Sequence, residues 1–148
     1  MTNTQTVNYK KLNEMAIVPT RGSEYAAGWD LYAAIPAAIL IKPHATEKIG
    51  TGIALELPDE TFGAIFARSG FATKQGLRPA NCVGVIDSDY RGECIVALHN
   101  DTDEDQLVEP GERIAQLVVL PYISIELTEG NLSNTERGIG GFGSSGKF

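Results

Sequence analysis

The stretch Gly84–Glu93, GVIDSDYRGE, sets two aspartates directly after an apolar run. The run reads as a buried strand, and Asp, Ser and Gly after it are turn formers, so the segment reads as a hairpin turn between the strands ANCVGVID and ECIVALHN. Two readings of the bend compete. In one it is a turn and nothing more. In the other, Asp87 at the end of a partly desolvated strand accepts a proton from water, and Tyr90, three residues on, packs its ring against a ligand.

Outward from this bend the same grammar repeats. Short apolar runs (EMAIVPT, AAILIKPHATEKIGTGIALELPD, TFGAIFA and RIAQLVVLPYISIEL) are separated by turn signals, and 16 glycines and 7 prolines break the chain often. Regularly spaced short strands favour a sandwich, jelly roll or barrel; an alternating strand–helix pattern is missing. One short helix is expected in RSGFATKQG, capped by Ser69 and ended by Gly76. The 148 residues suit a single domain. Residues 1–10 are polar and expected to fray, and the glycine-rich stretch 130–148 is expected to be flexible unless a ligand holds it.

The net charge of -7 makes nucleic acid a poor partner, while leaving room for a small anion where arginines converge. Cys82 and Cys94 flank the bend and read as reduced strand residues, since no metal-ligand spacing accompanies them. Met1–Glu14 lacks the apolar core of a signal peptide and no apolar run is long enough for a bilayer, so a cytoplasmic protein without membrane partners is expected.

Taken singly, the remaining motifs are ambiguous. Gly138, Gly140 and Gly143 match a dinucleotide fingerprint and Gly141–Lys147 matches the start of a P-loop, but no helix can follow either. What remains is a run of unobstructed backbone N–H groups beside Arg137 and Phe142, able to wrap a phosphate. Arg68-Ser69-Gly70 opens the expected helix, either as a plain cap or as an anion site. Arg113 and Gln116, three apart on a strand, are expected on opposite faces, one buried and structural, the other exposed. Asp30 follows Gly28 in AGWDL as a turn or metal-associated carboxylate. His44 and His99 form no triad pattern.

Together AGWDL, RSG, GVIDSDYRG, RIAQL and RGIGGFGSSG occur in an order and rough spacing that resembles the trimeric dUTP pyrophosphatases (dUTPases), over about Tyr25 to Gly146. The resemblance implies an all-β, distorted jelly-roll (β-clip-like) subunit with at most one short helix, in a homotrimer whose active sites lie between subunits. It implies Mg2+-assisted hydrolysis of dUTP to dUMP and pyrophosphate, which limits uracil incorporation into DNA and supplies dUMP for dTMP synthesis. By motif position, Asp87 is the general base that activates the water attacking the α-phosphorus. Backbone groups of Val85, Ile86 and Asp87, with the return strand near Ile95 and the side chain of Asn81, would read uracil. Tyr90 would pack on the deoxyribose and leave no room for a 2′-hydroxyl. Arg68, Ser69, Gly70 and Gln116 would hold phosphates. Arg137 would close the tail over them, Phe142 would stack on the base, and Gly143, Ser144 and Ser145 would add phosphate donors. Asp30 would assist Mg2+ through water, with the triphosphate as the main ligand.

The chain departs from the family pattern at Ser145, usually Thr, at Trp29, bulkier than usual, and at Glu112, usually Asp. None removes a group the chemistry needs. Two other readings are a dCTP deaminase of the same superfamily and a regulatory binding protein that keeps the fold; the bend and the glycine tail favour the pyrophosphatase.

Overall fold

A computed structural model describes residues 4–143. Ten short strands and one helix follow in order: β1 (Asn8–Lys11), β2 (Trp29–Tyr32), β3 (Ile39–Ile41), β4 (Thr46–Glu56), β5 (Thr61–Phe66), α1 (Ser69–Gln75), β6 (Leu77–Pro79), β7 (Gly84–Asp87), β8 (Glu93–Asn100), β9 (Gln106–Val108) and β10 (Arg113–Pro121). They form two four-stranded sheets, β1-β4-β8-β6 and β2-β10-β5-β7, and a two-stranded ribbon, β3-β9. Every named pairing is antiparallel. The result is a distorted jelly roll, in keeping with the fold expected from sequence.

The core lies between inward-facing residues of the sheets. Ile49, Leu55, Cys94, Val96 and Leu98 come from β4 and β8; Leu31, Ile65, Ala115 and Leu117 come from the other sheet. On β8 the burial alternates, with Cys94, Val96 and Leu98 buried and Ile95 exposed, the period-two pattern of a strand with one covered face. The buried Asn100 is satisfied by its side chain: Nδ2 donates to Ile41 O and Glu104 O, and Oδ1 accepts from Thr102. It ties the acidic loop 101–105 to β3.

Several expectations are corrected. EMAIVPT forms no strand; only Thr20 bridges to Asp30. Asn8–Lys11, inside or beside the stretch expected to fray, pairs with β4. The helix cap moves by one residue: Arg68 is the N-cap and makes no side-chain capping bond, while Ser69 is the first helical residue. Gly76 ends the helix as expected, in the left-handed conformation at φ 65, with its N–H on Ala72 O and Phe71 O. Cys82 lies in a turn at φ 64 and is exposed, not in a strand, whereas Cys94 is a buried strand residue; both are free thiols. Burial pushes the Cys94 thiol up to about 11, helped by the nearby charge of Glu93.

The largest correction concerns the opening bend. It is not a hairpin turn. β7 pairs with β5 in one sheet and β8 pairs with β4 and β6 in the other, so the bend carries the chain from sheet to sheet. β7 is an edge strand, and Val85 and Asp87 are exposed on it instead of buried.

Candidate active site

The crossing from β7 to β8 leaves one edge of each strand without a ladder partner. β7 has β5 on one side only. β8 is paired with β6 only at Leu98, His99 and Asn100, so at Glu93–Ala97 its outer edge carries no strand partner. Edges of this kind present rows of backbone donors and acceptors. Val85 and Ile95, both exposed, stand on the two edges, with Ile86 half-buried beside them. Asn81 lies in the turn before β7, which is tied to β8 by Ala80 N–H donating to Ala97 O at 2.7 Å. Asp87 ends β7 and is exposed in the single chain. Tyr90 sits in the bend; its backbone N–H donates to Asp87 O at 3.1 Å and its hydroxyl to Glu93 O at 3.0 Å. Asn81, Val85, Ile86, Asp87, Tyr90 and Ile95 thus lie on these two open edges and on the turns beside them.

A second cluster forms on the β2-β10-β5 face. Asp30, on β2, is buried and pairs in register with Gln116 on β10. Its carboxylate accepts from Arg68 Nε at 2.8 Å and from Arg113 Nη1 at 3.3 Å. Gln116 Nε2 donates to Ala67 O at 2.9 Å, just before the Arg68-Ser69-Gly70 turn. The two arginines, Gly70, Lys74, Gln75 and Glu112 border an open cavity of about 310 Å³. Three of those side chains are cations, so the cavity suits an anion. Asp30, Arg68, Ser69, Gly70 and Gln116 therefore share one neighbourhood.

Arg113 belongs to this cluster, against the expectation that three residues of strand would set it opposite Gln116. The pairing of β10 with β2 shifts register between Arg113 and Ala115, and the extra residue brings Arg113 to Asp30. The signal available in sequence was only charge: an arginine whose carboxylate partner lies 83 residues away.

The two clusters are separate within one chain. On β5, Phe66 faces Gln116 and Phe62 faces Asp87, four residues apart. That is ~13 Å along the strand, and with the strands between them Asp30 and Asp87 stand on the order of 20 Å apart. The tail forms a third group. After Pro121 the described chain runs to Gly143 without a strand, and Phe142 is fully exposed. Arg137 Nε donates to Gly140 O at 2.8 Å, and Phe142 and Gly143 adopt φ 48 and φ 86. Ser144 and Ser145 lie outside the described residues.

Among the described residues, no three His, Cys, Asp or Glu side chains converge to hold a metal. Both oxygens of Asp30 already bond guanidinium groups, so it is not an open ligand. This donor set fits a cation carried by a phosphate chain and its own waters, not one caged by protein.

Comparison with known proteins agrees with this geometry. The dUTPase family model matches residues 14–146. The deoxyuridine 5′-triphosphate nucleotidohydrolase of Hydrogenobaculum sp. is 44% identical over 138 residues, covering 93% of this chain and 95% of that protein. A dUTPase from Staphylococcus bacteriophage 80alpha, solved with dUpNHpp, superposes with a TM-score of 0.84 at 30% identity, covering 97% of this chain and 99% of that one. A dUTPase of the S. aureus phage phi11, described with a structural Mg(II) ion, shares the fold at a TM-score of 0.77 and 23% identity, over 86% of this chain and 98% of that one. The order of the five motifs, the jelly roll and these matches lead to one conclusion: the chain belongs to the dUTPase family.

Proposed function

We propose that this chain hydrolyses dUTP to dUMP and pyrophosphate, as a homotrimer that completes each active site from more than one subunit. The observation that carries the reading is the pair of unladdered edges of β7 and β8, with Asp87 at the end of β7 and Tyr90 in the bend between them. Uracil presents an acceptor–donor–acceptor edge, which backbone groups of Val85, Ile86, Asp87 and Ile95 can match, with Asn81 adding its amide. Cytosine's amino group would meet a donor there, and thymine's methyl group a wall. The ring of Tyr90 meets the deoxyribose.

Asp87 accepts a proton from the water whose oxygen attacks the α-phosphorus. The new P–O bond forms as the bond from that phosphorus to the bridging oxygen breaks, and pyrophosphate leaves with the electron pair. Arg68, Ser69, Gly70 and Gln116 hold the phosphate oxygens. Arg137, Phe142, Gly143, Ser144 and Ser145 fold over the nucleotide, with Phe142 on the base, and exclude bulk water. Mg2+ bound to the triphosphate would supply charge neutralisation along it. The lone pairs of Asp30 not engaged by arginine can accept from waters of that ion.

Two features support assembly. The base-side and phosphate-side groups stand too far apart in one chain to grip one nucleotide, on the order of 20 Å. The chain after β10 also exposes alternate apolar residues, with Ile123 88%, Ile125 72% and Leu127 92% exposed, a strand pattern that finds no sheet within the described residues.

The test is pyrophosphate release from dUTP beside dTTP, dCTP and UTP, with dUTP alone turned over quickly. Asp87→Asn is expected to lower kcat by at least about 100-fold while nucleotide binding persists; equal loss of both would overturn its role as base. Co-expressing Asp87→Asn chains with Arg68→Ala chains is expected to restore activity that neither has alone. Failure of that mixture, in trimers shown to be mixed, would refute the shared site.

A further inference from the structure

Opposite the base-reading strand, β4 carries a bulge. It takes four steps, Gly50 to Ala54, where β8 takes two, Ile95 to Glu93. A bulge of this kind removes ladder partners and bends the strand. Here the loose groups are taken up by two side chains. Thr51 Oγ1 donates to Cys94 O at 2.6 Å, and Glu93 Oε1 accepts from Gly52 N–H at 2.7 Å. Gly52 holds φ 65, and its carbonyl accepts from Leu12 N–H at 2.8 Å. Gly50 makes the room: a Cβ there would stand 2.6 Å from Glu93 Oε1.

The same residue faces the bend on its other side. The backbone carbonyl of Glu93 accepts the hydroxyl of Tyr90 at 3.0 Å. Gly92 lies beneath that ring: a Cβ there would come within 2.3 Å of the hydroxyl oxygen and 2.5 Å of the carbon that bears it. The ring is thus seated over a bare backbone and anchored at its far end to a residue that is itself pinned to the bulge.

We infer that Glu93 and Gly92 are positioning residues for Tyr90, and that through them the β4 bulge sets the preference for deoxyribose over ribose. The inference rests on the reading of Tyr90 as the ring that meets the sugar. Rejecting a substrate that merely adds a hydroxyl is hard for an apolar wall, because a small retreat of the wall admits the extra atom. Tyr90 is 43% exposed and has little packing of its own to hold it, so its seat must come from the hydroxyl bond and the bare Gly92.

The experiment measures kcat/KM for dUTP and for UTP in Tyr90→Ala, Tyr90→Phe, Glu93→Ala, Glu93→Gln and Gly92→Ala, with thermal melts of each. Tyr90→Ala is expected to erase most of the dUTP preference. Glu93→Ala and Gly92→Ala are expected to raise UTP use relative to dUTP by about tenfold, the rate equivalent of one charge-assisted hydrogen bond. Glu93→Gln keeps an acceptor for Gly52 N–H and is expected to restore the wild-type ratio. Tyr90→Phe removes only the hydroxyl bond, leaves the bulge untouched, and is expected to shift the ratio in the same direction. If Glu93→Ala and Tyr90→Phe slow both nucleotides equally, the positioning role is refuted. If Tyr90→Ala leaves the ratio unchanged, the sugar-facing reading of Tyr90 fails first. Absence of dUTP hydrolysis by the wild-type chain would instead overturn the proposed function.

Discussion

Gly28 precedes the β2 carboxylate by two residues, and its bareness governs Gln116. A Cβ placed on it would lie 2.3 Å from Gln116 Oε1 and 3.2 Å from Cδ. The first distance is about 1 Å short of an ordinary non-bonded separation. In Gly28→Ala the amide must therefore swing away by about that much, and the bond from Nε2 to Ala67 O, 2.9 Å in the native chain, is lost. The stability cost is about 1 kcal/mol for the hydrogen bond. Stiffening of the unfolded chain by alanine returns roughly 0.4–1 kcal/mol, since the backbone at Gly28 is not in the left-handed region. The two nearly cancel, and Tm is expected to move by less than about 3 °C. Activity should not be spared. With Gln116 in its proposed role at a phosphate oxygen, misplacement by about 1 Å is expected to lower kcat/KM for dUTP on the order of 100-fold. Steady-state pyrophosphate release and differential scanning calorimetry measure the two quantities. The double variant with Gln116→Ala closes the cycle: once the amide is removed, the added methyl group has no Oε1 to strike, so the double variant should match Gln116→Ala alone. Additive losses would refute the steric reasoning, as would a crippled Gln116→Ala beside a fully active Gly28→Ala.

Asp30→Asn should leave Arg68 and Arg113 facing each other across a neutral amide; urea denaturation is expected to show a loss of about 2 kcal/mol, less than a fully buried pair because the Arg113 side chain is 49% exposed. Ending the chain after Glu136 is expected to lower kcat at least about 100-fold with an unchanged melt of the β-sheet core, since residues 137–139 are exposed and bond only locally; a normal rate would sink the closing-tail reading. The Cys94 thiol, raised from 9.0 to about 11 by burial, favours the folded state fully below pH 9 and loses that contribution as pH climbs through 11. Cys94→Val is therefore expected to show an alkaline stability drop between pH 9 and 11 smaller than wild type by the order of 3 kcal/mol, read from denaturation midpoints.

Strand positions were legible where the signal is local. Pro121 ends β10, Gly76 ends the helix, and Pro58-Asp59 marks the turn between β4 and β5. Partnership was not legible, because it is decided far along the chain. The apolar run before Asp87 looked buried, yet β7 takes an edge beside β5, and β8 leaves for the other sheet. Bulges hide for a different reason: inserted residues leave no mark on composition beyond a glycine such as Gly52, and a single extra residue, as between Arg113 and Ala115, reverses the faces beyond it. That reversal hid Arg113 as a partner of Asp30. The residues proposed for the site stand in motifs that the sequence displays, but the separation of Asp87 from Asp30 required the register of β5.

The segment after β10 has a consequence for how the protein is made. Tyr122 to Leu132 follows all ten strands in sequence, so each newly synthesised chain completes its jelly roll while a greasy band with Leu127 92% and Leu132 94% exposed still lacks a berth. In the proposed homotrimer a sister chain would cover that band, and before it does the band offers exposed apolar surface. On that proposal, yield should depend on how fast nascent copies meet one another rather than on how fast each one folds, and a cell producing them sparsely would lose more to proteases and chaperones than one producing them in bursts.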